Sequence, residues 1–205
     1  MAEKNGADLI EFRLDYMKKE LDLRRLISAT RLPIIATNRI ASEGGRFRGK
    51  ETARIQYLLD ASKMGCKFVD LELETRNVRS IIREIKTFGS KIIISHHDPQ
   101  CTPDLQILNS ILRKQINIGA DICKIITTAN NLSDNIRVLE FLSEASKRTE
   151  IVSFAMGRLG VISRVLSPVY GGSFTFASVE RGAESATGQL TLDEVRNIYG
   201  LMRLK

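Results

Sequence analysis

A chain of 205 residues, 43% hydrophobic and 27% charged, can bury a substantial core, roughly 70% of its unfolded surface, without staples. No apolar run approaches the ~18 residues of a membrane span, the opening Met1-Ala2-Glu3-Lys4-Asn5-Gly6 is no export signal, and Cys66, Cys101 and Cys123 lack metal-ligand spacing, so a cytoplasmic protein with no membrane partner is expected. The formal net charge of +7 suits a polyanion binder or a protein that attracts a small anion, but the basic residues are spread out, concentrating only at Arg46, Arg48 and Lys50, without a nucleic-acid motif.

Along the chain, short apolar runs rich in β-branched residues predict strands at 7–14, 33–38, 67–73, 91–96, 121–126, 150–155 and 173–178. Helices are predicted between them, at 52–64, 78–88, 103–118, 133–147 and 192–202. The apolar residues recur at helical spacing there, as in Leu105, Leu108, Ile111 and Leu112. Asp104 and Ser133 are candidate caps or first-turn residues, and Asn77 a candidate cap for the helix after the third strand. Strict strand–helix alternation predicts an α/β domain over 1–205 with a parallel sheet covered on both faces. An open doubly wound sheet and a barrel both satisfy that pattern. No glycine-rich dinucleotide fingerprint follows any strand, which weakens the nucleotide-binding form of the open sheet.

Polar residues on such strands mark the candidate site, because chemistry in a parallel α/β barrel gathers where strands end. Lys124 interrupts Ile122-Cys123-Lys124-Ile125-Ile126, a segment that should be buried on both faces. Burial disfavours the ammonium, and a neutral amine can attack a ketone to form an imine. The competing reading is a lysine whose stem packs in the core while its head reaches water. Cys123 faces the other way, as a small apolar residue. His96 and His97 are the only histidines. Adjacent strand residues face opposite sides, so one of the pair is expected inside, as a proton carrier or a structural residue.

Glu11 and Arg13 share one strand face, and Asp70 and Glu72 repeat the pattern less specifically. Arg39 ends the second strand and leads into a Glu43-Gly44-Gly45 loop suited to close backbone approach. Arg164 should lie on a helix opened by Gly160, where it could grip a carboxylate or simply face solvent. The loop Glu184-Ser185-Ala186-Thr187-Gly188-Gln189 has the small polar residues of a lid, and of ordinary loops too.

Taken in order, GADLIEFRLD, TNRIASEGGRF, FVDLELE, IISHHD, GADICKI, MGRLGVISR and ESATGQLT resemble the type I 3-dehydroquinate dehydratases, from about Gly6 to the C-terminus. The resemblance implies a TIM (β/α)8-type barrel, here with seven strands and without the family's first strand–helix unit at the N-terminus. It implies a lyase of the shikimate pathway, in aromatic amino acid biosynthesis, that dehydrates 3-dehydroquinate to 3-dehydroshikimate through a lysine Schiff base. Lys124 would form the imine. His97, aligned through the His-Asp pair, would move the protons, and Glu43 would orient it. Arg164 would bind the substrate carboxylate, with Arg39, Glu11 and Arg13 placing the ring and its hydroxyls. Ser185 and Gln189 would close over the substrate, and Met156 would form an apolar wall. No cofactor or metal is implied, and the partners are the small substrate and a second copy of the chain in a homodimer. The alternatives are another Schiff-base barrel enzyme of the class I aldolase type and a non-enzymatic basic module that binds polyanions.

Overall fold

Six of the β-branched runs become strands, joined in sequence order by the amphipathic helices that cover them. The structure, a computed structural model, describes residues 2–17 and 23–203. Strands β1 (Ile10–Arg13), β2 (Ile34–Thr37), β3 (Phe68–Glu72), β4 (Lys91–His97), β5 (Ile122–Thr128) and β6 (Ile151–Met156) are hydrogen-bonded neighbours in that order. Parallel neighbours need a crossover. The crossovers carry α1 (Leu23–Ser28), α2 (Glu51–Lys63), α3 (Val78–Thr87), α4 (Leu105–Ile118) and α5 (Ser133–Ala145), and α6 (Val161–Leu166) and α7 (Leu192–Leu201) follow β6. This is the β/α alternation of TIM-barrel folds. No helix among the described residues is long and apolar enough to cross a membrane.

Contacts divide the chain into two compact units: Asp8–His97 with Ile111–Lys124, and Met1–Ala7 with Asp98–Ser110 and Ile125–Lys205. In the first, Leu58, Val69, Leu71, Ile85, Ile92, Ile94 and Leu112 are completely buried. Each such side chain contributes about 1.5–3 kcal/mol when removed from water. That apolar layer stabilises the polar face behind it. The parallel register sets Arg13 beside Thr37, Thr37 beside Asp70, and Glu72 beside Ser95. Side chains alternate along a strand, so one sheet face collects Glu11, Arg13, Thr37, Asp70, Glu72, Ser95 and His97.

The second unit packs Ala129, Val138 and Ala155 into one buried cluster. Helix α7 starts on a capping box, in which Thr191 Oγ1 accepts from the Glu194 amide and the Glu194 carboxylate accepts from the Thr191 amide.

Two sequence expectations need correction. Residues 173–178 form no strand: they make a backbone bond from Ser173 to the Ile151 carbonyl and an isolated bridge from Ser178 to Thr191. Phe174 and Phe176 meet edge-to-face, as do Phe176 and Phe154. Ring packing and scattered hydrogen bonds, among them Thr175 Oγ1 to the Arg164 carbonyl at 2.9 Å, hold this segment in place of a ladder. Asn77 does precede α3, but its side chain caps nothing. Its φ of 58° shows another use of asparagine, in the left-handed turn that starts the helix. By contrast, Asp104 Oδ1 accepts from the Ile107 amide at 2.9 Å, and Ser133 is a first-turn residue of α5.

Candidate active site

Lys124 sits on β5, buried, with its carbonyl taken at 3.0 Å by the Gln115 amide nitrogen from α4. Its Nζ donates to Asp70 Oδ2 at 2.8 Å and lies 3.8 Å from Glu11 Oε1. The head therefore does not reach for water as a stem-buried surface lysine would. It lies instead in a buried ion pair. Glu11 is fixed in turn by Thr37 Oγ1, which donates to it at 2.8 Å.

Asp70 organises this cluster. Its Oδ1 accepts from Arg39 Nη2 and from Ser95 Oγ, each at 2.6 Å, and Arg39 Nη1 donates to Ser95 Oγ at 2.6 Å. Burial by itself would raise the Asp70 pKa, but Arg39 and Lys124 overcome that and hold it well below the usual carboxylate range. Arg39 is buried as well. Burial pulls its pKa down, and Asp70, Glu72 and Glu43 more than compensate, leaving it above its ordinary value. A fully buried charge is tolerated only when it is paired and hydrogen-bonded, and both of these are.

His97 closes β4, with Nδ1 3.0 Å from Glu43 Oε2. Glu43 stands on a single 3₁₀ turn, Ala41–Glu43, which stops at Gly44 in the left-handed conformation. The following Gly45 brings the backbone so close to the Arg39 carbonyl that a Cβ would lie 2.1 Å from it. Burial pushes Glu43 up to about 7, opposed by Arg39 and reinforced by Glu72 and Asp70. Burial also drives the His97 pKa well below 6.5, helped by the Arg39 and Lys124 cations. The imidazole is thus neutral at neutral pH and can accept a proton. His96, also half-buried, has interactions of its own.

Arg13 is engaged locally. It grips Asp15 with two parallel bonds of 2.9 and 2.7 Å and lies over the Tyr16 ring, as does Arg46. Alternation places Arg13 on the Glu11 face, but spacing alone could not reveal its bond to Asp15.

In the other unit, Arg164 lies on α6, 2% exposed, its guanidinium 4.2 Å over the Phe154 ring. Its Nε and Nη2 have no hydrogen-bond partner, and burial lowers its pKa to about 10. Its two free nitrogens leave it able to donate two parallel bonds to an anion. Met156 ends β6, half-buried. The segment with Ser185 and Gln189 folds on itself, as Gln189 Oε1 accepts from the Ser185 amide at 2.8 Å and from its hydroxyl at 3.3 Å. It is moored beside β6: the Gly157 amide donates to the Thr187 carbonyl, and a Cβ on Gly188 would lie 2.3 Å from the Gly157 carbonyl.

Sequence reasoning gave Asp70 and Glu72 too little weight and passed over Ser95 and Arg54. The usable signal was two acids alternating on a strand that burial covers on both sides, which demands buried cations opposite. Among the described residues no cluster of His, Cys, Asp or Glu is arranged to hold a metal ion.

Comparison with known proteins gives a consistent result. The family model described as type I 3-dehydroquinase matches residues 1–205. A 3-dehydroquinate dehydratase of Dehalococcoides mccartyi is 37% identical over 199 residues, covering 97% of this chain and 88% of that protein. The solved 3-dehydroquinate dehydratase of Geobacillus kaustophilus superposes with a TM-score of 0.89 at 26% identity, covering 98% of this chain and 83% of the other. The type I enzyme of Clostridium difficile, solved with covalent modified comenic acid, superposes at 0.85 with 25% identity, over 96% and 82% of the two chains.

Proposed function

The chain belongs to the type I 3-dehydroquinases, and from that membership we propose how its residues divide the work. The reaction is the dehydration of 3-dehydroquinate to 3-dehydroshikimate in the shikimate pathway, through a lysine Schiff base.

Lys124 is the covalent residue. Its amine, once deprotonated, adds to the ketone, and loss of water leaves a protonated imine. That cation occupies the place of the ammonium, so Asp70 and Glu11 face positive charge at both stages. The electron-poor imine acidifies the adjacent C–H. His97, neutral and backed by Glu43, takes that proton to give an enamine, then returns it to the departing hydroxyl, which leaves as water. Water then hydrolyses the product imine and frees Lys124.

Arg164 takes the substrate carboxylate, replacing its missing partners with two parallel charge-assisted bonds. Arg39, Glu11 and Arg13 place the ring and its hydroxyls. By the same family assignment Ser185 and Gln189 cover the substrate, and Met156 supplies an apolar wall. The assignment is carried by one observation: a buried lysine ion-paired to Asp70 shares its polar cluster with a neutral histidine–glutamate pair. A guanidinium fork grips carboxylate and phosphate alike, so the choice of a carboxylate over the sugar phosphate of an aldolase-type Schiff-base enzyme rests on the family match.

The test is borohydride reduction in the presence of 3-dehydroquinate, followed by peptide mass spectrometry. A stable adduct on Lys124 is expected, and turnover without one overturns the assignment. We also read the protein as cytoplasmic and homodimeric. Exposed Leu132 and Ile136, at the head of α5, and Ile162 on α6 are apolar surface that a second copy could cover. Sedimentation as a monomer at micromolar concentration would remove the dimer.

A further inference from the structure

Arg54 is a buried cation that the chemistry above does not use. It projects from α2, 1% exposed, and each of its five N–H groups has an acceptor. Nε and Nη2 donate to the two oxygens of Glu51, at 2.7 and 2.6 Å, and Nη2 also donates to Thr75 Oγ1 at 3.1 Å. Nη1 donates to Glu72 Oε2 and to the Asn38 carbonyl, the latter at 3.2 Å. The Asn38 amide nitrogen returns a bond to the Arg54 carbonyl at 3.3 Å.

These contacts bracket Arg39. Asn38 precedes it in the chain, and Glu72, held through Oε2, turns Oε1 to Arg39 Nη1 at 3.0 Å and to the Ile40 amide at 3.3 Å. Thus Arg54 fixes the peptide before Arg39, the peptide after it, and the carboxylate against its side chain. The Ile40 peptide is also where the turn bearing Glu43 begins. We infer that Arg54 is a positioning residue for the dehydration, clamping Glu72 and Asn38 so that Arg39 and the Glu43–His97 pair keep their working arrangement. This rests on the assignment of Lys124, His97 and Glu43 proposed above.

The electrostatic consequence has a definite sign. Glu43 faces Arg39 on its own segment, Asp70 and Glu72 from β3 and His97 from β4, while Lys124 from β5 acts on His97. Without Arg54, Glu72 loses one of its two cationic partners, and Arg39, the other, is drawn more strongly to Glu72 and away from Glu43. A less neutralised Glu72 and a weaker hold by Arg39 both favour protonated Glu43. A protonated Glu43 donates to Nδ1 and places the imidazole hydrogen on Nε2, so no ring nitrogen remains free to take the substrate proton. A purely structural Arg54 would change stability and leave the pH profile alone.

The test compares wild type, Arg54→Met, Arg54→Lys and Glu51→Gln as full chains. It measures kcat, KM, the pH profile of kcat/KM, melting temperature and borohydride trapping on Lys124. Arg54→Met should still form the adduct, lose kcat by roughly ten- to a hundredfold through misplacement, and shift the acid limb to higher pH. Arg54→Lys should restore the limb more than kcat, because a lysine keeps the charge but not the fork. Glu51 is exposed and touches the cluster only through Arg54, so Glu51→Gln should give the same shifts at smaller size, and it carries the test if Arg54→Met does not fold. A folded Arg54→Met with wild-type kcat and limb overturns the inference, as does an unchanged Glu51→Gln if Arg54→Met fails to fold. Wild-type turnover without an adduct on Lys124 overturns the underlying assignment instead, before any variant is compared.

Discussion

The Nδ1 of His97 lies 3.0 Å from Oε2 of Glu43, and the same burial moves their pKa values in opposite directions. The imidazole falls well below 6.5 while the carboxyl rises to about 7. Above that value Glu43 is ionised, Nδ1–H donates to it, and Nε2 holds a free lone pair. The acid limb of kcat/KM should therefore lie near pH 7 and belong to the pair. Glu43→Gln, which can accept from Nδ1–H without titrating, should lower kcat and remove that limb. A limb unchanged in position would detach Glu43 from the base.

The same shift makes a stability prediction. Glu43 titrates near 4.5 when unperturbed and near 7 in the folded protein, so between those values the folded state binds more protons. Stability then falls as pH rises from 4.5 to 7, and the full penalty, about 3 kcal/mol at most, persists above that. Glu43→Gln should melt higher than wild type at pH 8, and the gap should close toward pH 4.5. Equal melting at both ends would show that Glu43 is not strained by its burial.

Much of this was legible in the sequence, and the misses have physical causes. Local pattern singles out Lys124, a charge in a buried strand, and the His96–His97 pair at a strand end without choosing between them; His97 and Glu43 are named through the family resemblance, since an acid before paired glycines is a weak signal by itself. Six strands followed from β-branched runs. The seventh failed because an apolar run does not report whether a neighbouring backbone is there to complete a ladder, and Phe174 and Phe176 are held by ring contacts and by scattered bonds from Ser173, Thr175 and Ser178 instead. Asp70, Ser95 and Arg54 were harder to see. Their importance lies in register and in contacts 16 to 56 residues apart, such as Arg39 to Ser95 and Arg54 to Asn38, which no local pattern encodes.

Lys124→Met should abolish turnover and the borohydride adduct while the protein still folds. Breaking a buried ion pair usually costs about 3–5 kcal/mol, because one charge is stranded. Here Asp70 keeps Arg39 and Ser95, each at 2.6 Å, so the loss should fall below that range. Circular dichroism and thermal melting check the fold, and mass spectrometry checks the adduct. Residual turnover near the wild-type rate would remove the imine.

His97→Ala and His96→Ala should separate two steps. With His97 gone, Lys124 can still condense with the ketone, so the adduct should be trapped while kcat drops by about a hundredfold or more. His96→Ala should be much milder, since the bond to Glu43 is made by His97. A reversed order would hand the proton-transfer role to His96.

Arg164 offers the sharpest contrast between binding and stability. Its guanidinium is buried with two nitrogens unpartnered, and burial has already lowered its pKa to about 10. Replacing an uncompensated buried charge with an apolar side chain of similar length should stabilise the empty protein, so Arg164→Met should melt above wild type without ligand. The same substitution removes the carboxylate receptor and should raise KM by about ten- to a hundredfold, the equivalent of 1.4 to 2.8 kcal/mol. Adding a carboxylate-bearing substrate analogue should then raise the melting temperature of wild type and not of the variant. If both proteins respond alike to the analogue, the carboxylate binds elsewhere and Arg164 is held in the core by its stacking on Phe154 alone.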